Sequence, residues 1–291
     1  MTAPLPAAKT ATTTTVPNIS FEFFPPKNIE ACFSLFETVQ ALEGMNPGFV
    51  SVTYGAGGTT RELTHDAVAL LNRKYGWNVA AHLTCVNATR EETLAIADSY
   101  NAVGVTEIVA LRGDPPKDAG KFTPAEGGFA NSVELIAALK ETGKFKIRVG
   151  AYPDPHPDAT DENSDITWLK QKFEAGADSA ITQFFFDPDT FFRFRDRCAK
   201  AGITGKIIPG ILPITSWKGV QKFAASCGTP LPAHYAEAFE TTGDPRQLSI
   251  DLCTALCQSL ITEGVEDLHF YTLNRPHLSK AICANLGVAG A

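Results

Sequence analysis

Short runs rich in β-branched and aromatic residues punctuate the chain at 19–24, 49–54, 79–85, 107–112, 146–152, 179–186, 206–212 and 268–273. Successive runs start roughly 30 residues apart, the length of a strand plus a returning helix, and the last gap is about twice as long. The gaps carry helical patterns with their own start signals. Phe33, Phe36, Val39 and Leu42 recur close to a helical period. Thr89 with Glu92 reads as a capping box. Asp244-Pro245 reads as an N-cap followed by proline at the first helical position. The long gap has room for two helices, near 216–228 and 246–264, with Pro230 and Pro232 between them.

Several runs are apolar at every position, as at 108–111, which is the pattern of parallel strands covered by helices. Eight strand-then-helix units predict an α/β fold, a (βα)8 TIM barrel, with a doubly wound sheet as the alternative. No linker interrupts the pattern, so 18–291 is expected to be one catalytic domain. Residues 1–17, rich in Thr, Ala and Pro, are expected to be a disordered tail rather than a secretion or transit signal.

Composition narrows the function. Of the 291 residues 44% are hydrophobic and 20% charged, and the net charge is −7 with no basic run, so nucleic acid is not an expected partner. No apolar stretch is long enough to span a bilayer. The seven cysteines include no C-x-x-C pair. Cys253 and Cys257 share a helix face without further ligands at metal spacing, and read as core thiols in a reducing, cytoplasmic setting.

Barrel chemistry sits where strands end, and the unusual polar residues fall there: Glu22, Thr53, His82, Arg112-Gly113-Asp114, Tyr152 with His156, Gln183 and Asn274-Arg275. Glu22 lies in an almost wholly apolar strand. Burial of a bare carboxylate raises its pKa and keeps it protonated, the state a general acid needs; the alternative is an ion pair inside the barrel. Asp114 reads equally as a structural partner of Arg112, and His82 equally as a core histidine. Residues 55–60 form a glycine-rich turn that fails the dinucleotide fingerprint, because Thr60 stands at its third small position. Gln183 before three phenylalanines suits a flat heteroaromatic ligand, and Trp217 is either a stacking surface or a packing residue. Lys146 and Lys206 open their strands, the wrong end for a Schiff base, and no clear metal site is visible. The residues alone indicate a barrel enzyme with an internal acid.

Eight of these segments, in order, resemble the motifs of the methylenetetrahydrofolate reductase family: 21–26, 52–56, 82–85, 111–114, 151–157, 182–187, 209–213 and 270–275. The resemblance covers 18–287. It implies an FAD-dependent enzyme that takes a hydride from NADH or NADPH, releases the nicotinamide, and reduces 5,10-methylenetetrahydrofolate to 5-methyltetrahydrofolate for methionine synthesis in a ping-pong order. It also implies that Glu22 is the general acid and Asp114 a catalytic carboxylate near the flavin and pterin. Flavin contacts fall on Thr53, Tyr54, Ala56, His82, Arg112, Gly113, Asp114, Ala130, Tyr152, His156, Ala159, Asp165 and Lys172. Gln183 and Arg275 match folate-holding positions, Thr53 and Gln183 also lie near the nicotinamide, and Trp217 falls where relatives stack an aromatic on both substrates. A tetrahydrofolate substrate and a homo-oligomer are expected, and NADH as the preferred donor.

Trp168 and Gln171 stand where bacterial relatives offer an Asn and an Arg to the flavin, and Phe129 where a Tyr is common. The chain stops at Ala291, so the regulatory domain of eukaryotic relatives, and its allosteric control, are not expected. The runners-up are a related flavin barrel acting on another substrate, such as an amino acid, and a barrel that binds folate or flavin without turnover.

Overall fold

The computed structural model describes residues 16–54, 61–114, 122–159, 161 and 163–288. Its strands are β1 (Asn18–Phe23), β2 (Phe49–Val52), β3 (Val79–Thr84), β4 (Glu107–Leu111), β5 (Lys146–Ala151), β6 (Ser179–Thr182), β7 (Lys206–Ile208), β8 (Gly210–Ile211) and β9 (Asp267–Tyr271). All are parallel, in the order β7-β6-β5-β4-β3-β2-β1-β9-β8. This is a nearly closed (βα)8 barrel and not an open doubly wound sheet. The strand expected at 206–212 is divided at Pro209, which has no N–H to donate. Its first half pairs with β6 and its second with β9, so the two halves close the ring. The Pro209 carbonyl accepts from His269 N at 3.0 Å, and Gly210 N donates to Thr182 Oγ1 at 2.9 Å.

Strand residues point alternately to the two faces. Outward positions such as Phe21, Phe23, Val50, Val52, Leu83, Ile108, Ile147 and Val149 are fully buried in the main apolar core. They pack beneath α1 (Ile29–Leu42), α2 (Arg61–Tyr75), α3 (Arg90–Ala102), α4 (Ser132–Glu141), α5 (Ser164–Glu174), α6 (Pro188–Lys200), α9 (Pro245–Thr262) and α10 (Pro276–Asn285). Inward positions are different. Phe49, Ala80, Val109, Ile181 and Ile208 form a small apolar plug. Below it Arg148 pairs with Glu107, both side chains 5% exposed; above it sit Glu22, His82 and His269. Residues 108–111 of β4 are apolar on both faces as expected, with Ile108 and Ala110 under the helices and Val109 in the plug, whereas β1, β3, β5 and β9 turn polar residues into the lumen.

The Thr89–Glu92 capping box forms, as does the Asp244 cap of α9, whose carboxylate accepts from Arg246 N and Gln247 N. α1 buries Leu35, Thr38, Val39 and Leu42, whereas Phe33, expected on that face, is 67% exposed. The long gap holds α7 (Trp217–Cys227), α9, and between them a helix not expected from sequence, α8 (Ala233–Thr241). α8 has no side-chain cap and Pro232 at its N-cap, so its start signal is absent. Tyr235 anchors it, donating to the Phe186 carbonyl at 3.3 Å. Cys253 and Cys257 are buried and free. Among the described residues no helix is long and apolar enough to cross a membrane, and no metal-ligating cluster occurs. The expected tail falls almost wholly outside the described residues.

Candidate active site

Glu22, the penultimate residue of β1, faces the lumen with its side chain 16% exposed. Its Oε2 is the meeting point of three neighbours: Ser51 Oγ from β2, which donates at 3.3 Å, His82 Nε2 from β3 at 3.3 Å, and His269 Nε2 from β9 at 3.8 Å. Burial is the largest single influence on this carboxyl and pushes its pKa up. Hydrogen bonds from His269 and His82, together with their charge, outweigh it and hold the carboxyl down at about 2. This corrects the sequence expectation of an acid kept protonated by burial alone. A lone carboxylate in an apolar strand would behave that way; this one has two histidines beside it in the lumen, His269 on the adjacent β9 and His82 two strands away on β3. It is no arginine ion pair either, since Arg148 is committed to Glu107 at 2.7 Å.

A second group of residues collects beyond the ends of β4 and β5. Arg112, Asp114, Tyr152, His156 and Ala159 line a cavity of about 810 Å³, with Gln183 from the end of β6 and Ser226 and Cys227 from α7. An adjoining cavity of about 290 Å³ adds Gly113, Asp165, Trp168 and Lys172. The groups order one another. His156 Nδ1 accepts from Asp158 N at 2.9 Å, so the neutral ring carries its proton on Nε2. His156 N donates to Asp165 at 2.9 Å, and Arg112 donates to Asp158 at 3.1 Å. Lys172 donates to the Gly150 carbonyl at 2.8 Å; burial pulls its pKa down to about 8 despite Asp165 nearby. Burial, with Asp114 next, pushes the Tyr152 hydroxyl up to about 12. At the end of β2, Thr53 N donates to the Phe23 carbonyl at 3.0 Å, and Tyr54 beside it is half-buried. Ala130 is exposed, its N–H turned to Glu134. Ala56 and the glycine-rich turn lie outside the described residues.

Trp217 and Arg275 are brought together, but apart from Gln183. They line a cavity of about 750 Å³ between α1, α9 and α10, where Trp217 stacks on Phe239 at 5.1 Å and 7°. Arg275 is placed by an unusual turn: Leu273 and Asn274 both adopt left-handed φ, at 50° and 53°. A leucine there is strained. The Asn274 amide compensates by bonding both backbone groups of Phe24, at 2.9 and 3.0 Å, which ties the end of β9 to the end of β1.

The sequence reading passed over three residues. His269 belongs to the Glu22 cluster. Tyr271 caps the lumen, its hydroxyl donating to the Thr182 carbonyl at 2.7 Å. Phe223 on α7 is 39% exposed and stacks at 5.2 Å on Phe184, the neighbour of Gln183. For His269 and Tyr271 a signal existed, polar atoms two apart in an otherwise apolar strand.

A family model described as methylenetetrahydrofolate reductase matches residues 8–287 of the chain. The chain belongs to the methylenetetrahydrofolate reductase family. The family is one of oxidoreductases, and its members include similar proteins in bacteria and plants. The 5,10-methylenetetrahydrofolate reductase of Escherichia coli is 43% identical over 275 residues, 93% of this chain and 91% of that protein. An Arabidopsis thaliana relative, methylenetetrahydrofolate reductase (NADH) 1, is 37% identical over 92% of this chain and 48% of its own length. Among solved structures, a Clostridium thermocellum protein described as binding two copies of 5-methyl-5,6,7,8-tetrahydrofolic acid matches with a TM-score of 0.61 at 11% identity. It covers 94% of this chain and 96% of that one, a likeness of fold.

Proposed function

We propose that this enzyme reduces 5,10-methylenetetrahydrofolate to 5-methyltetrahydrofolate with NADH, through FAD, and that Glu22 is its proton donor. Membership of the reductase family supports the reaction, and the name of the plant relative supports NADH as donor. The observation that carries the residue assignment is the place of Glu22, a carboxyl inside the barrel mouth surrounded by groups that exchange protons.

The residues present suit a flavin. The adjoining cavities beyond β4 and β5 offer Arg112 and Lys172, a partly desolvated cation, to a diphosphate. Tyr152 and the 45% exposed Trp168 offer flat surfaces to aromatic rings. Trp168 thus provides packing where relatives provide an asparagine, and Gln171 adds no charge. A flavin held there would supply hydride transfer between the nicotinamide and the folate. The protein does the rest. Glu22, a carboxylate in the resting site, takes up a proton from solvent as the bound folate displaces water around it, and passes that proton to the amine nitrogen of the five-membered folate ring; the carbon–nitrogen bond breaks, and the methylene carbon becomes an iminium that accepts the hydride. The Asp114 carboxylate at the cavity rim attracts that cation. Gln183 orients the pterin and the nicotinamide, and Arg275 meets the anionic tail of the folate.

Glu22→Gln separates the steps. In stopped-flow measurements the variant should bind flavin and be reduced by NADH at the wild-type rate, because that transfer needs no acid, while folate reduction falls by about 10²-fold or more. Equal loss in both half-reactions would make Glu22 structural and overturn the assignment.

A further inference from the structure

The ladder between β1 and β9 runs out of backbone where the barrel opens. Its register ends at Glu22 and Tyr271. Beyond Phe24, β1 leads into Pro25 and Pro26, which have no N–H to donate. β9 turns away at Leu273 and Asn274, with φ of 50° and 53°. Yet the two ends stay bonded. Thr272 Oγ1 donates to the Glu22 carbonyl at 2.6 Å. Asn274 Oδ1 accepts from Phe24 N at 2.9 Å, and Asn274 Nδ2 donates to the Phe24 carbonyl at 3.0 Å. A backbone N–H only donates and a carbonyl only accepts, so both roles of the amide are fixed. The side chain thus offers Phe24 the donor and the acceptor that a continuing strand would offer.

Because the amide holds this rung, the backbone is free to reverse. Arg275 N closes the turn by donating to the Thr272 carbonyl at 2.8 Å, Ser34 Oγ of α1 donates to the Asn274 carbonyl at 3.4 Å, and Pro276 opens α10 at once. Arg275 is thereby directed into the cavity it shares with Trp217. Among the described residues the other non-glycine residues with left-handed φ are single asparagines, Asn46 and Asn87. A consecutive pair that includes a leucine persists only where its surroundings hold it, and such strain collects at functional sites.

We propose that Asn274 is a positioning residue for the folate: its amide replaces a strand rung and so fixes the turn that aims Arg275 at the folate tail, at a set place relative to Glu22. The inference rests on the reading of Glu22 and Arg275 as the groups that meet the two ends of the folate. One clamp then serves both, since they hang from the adjoining ends of β1 and β9. Asparagine suits the position twice over. It tolerates the left-handed φ, and its amide carries an acceptor and a donor side by side.

Asn274→Ala removes the amide and strains the turn. Asn274→Gly removes the amide but accepts the turn freely, which keeps the test open if the alanine enzyme folds poorly. Titration calorimetry gives the Kd for 5-methyltetrahydrofolate, steady-state kinetics the KM for 5,10-methylenetetrahydrofolate, and stopped flow the rate of flavin reduction by NADH. Both variants should raise Kd and KM about tenfold, the weight of one charge-assisted hydrogen bond, with the NADH step unaltered. Arg275→Ala should do the same. The double variant Asn274→Gly/Arg275→Ala should be no worse than Arg275→Ala alone, because Asn274 acts through the arginine. Losses that add in the double variant overturn the proposal, as does an Asn274→Gly enzyme that binds folate like the wild type while Arg275→Ala does not. Should Arg275→Ala itself bind folate normally, the assignment of Arg275 to the folate falls, and the positioning role falls with it.

Discussion

Phe223 and Trp217 lie on the same helix yet have different surroundings. Phe223 is exposed over Phe184, next to Gln183, and Trp217 is stacked on Phe239 beside Arg275. The aromatic contact of the nicotinamide is therefore expected from Phe223. Phe223→Ala should raise the KM for NADH by the equivalent of about 0.5–1.5 kcal/mol, the worth of an aromatic pair. Trp217→Ala should leave NADH unaffected and weaken only the folate. Steady-state kinetics on both variants decides it, and a Trp217→Ala enzyme impaired with NADH would restore the tryptophan to that role. Both residues are visible in the sequence, but which one stacks on Phe184, the neighbour of Gln183, depends on the rotation of α7 over the barrel. Glu22 and His82 could be read directly, because a polar residue in an apolar strand has to face either the lumen or a partner. That His269 completes the cluster depends on strand register, which one-dimensional patterning does not specify.

Among the elements, the most constrained contact is at β8. A side chain at Gly210 would place its Cβ 2.1 Å from the Thr182 carbonyl oxygen and 2.5 Å from the Tyr271 ring, against backbone that cannot move away cheaply. Gly210→Ala should cost more than about 2 kcal/mol of stability in urea unfolding, within the range for overpacked sites. Gly243, whose added Cβ meets nothing, should tolerate alanine without measurable loss. The parallel strands were legible because each is a compact apolar run between helix signals. The break at Pro209 was not, since the run reads straight through it, and the cue lies in the hydrogen bonds a proline cannot make. α8 was missed for a related reason: it starts without a cap, after two prolines, and takes its place from the packing of Tyr235.

At the scale of the molecule, the bottom of the barrel is closed by charge and not by hydrocarbon. Arg148 donates to Glu107 at 2.7 Å and to Ser179 at 3.0 Å, with its guanidinium 3.5 Å from the centre of the Phe49 ring. Asn78 donates to the other Glu107 oxygen at 2.6 Å. Glu107→Gln would leave a desolvated guanidinium without its counter-charge. It should cost about 3–5 kcal/mol in chemical denaturation, whereas replacing both partners by apolar residues of similar volume should recover most of that loss. A loss below about 1 kcal/mol in the single variant would show that water reaches the pair. The order of the strands has a further consequence, in time. β1 pairs with β2 on one side and β9 on the other, and β9 brings His269 to Glu22. During synthesis the first strand therefore waits, one edge unpaired, until β9 has left the ribosome. The proton-handling cluster comes into being with the last strand, so no truncated nascent chain can carry a complete site.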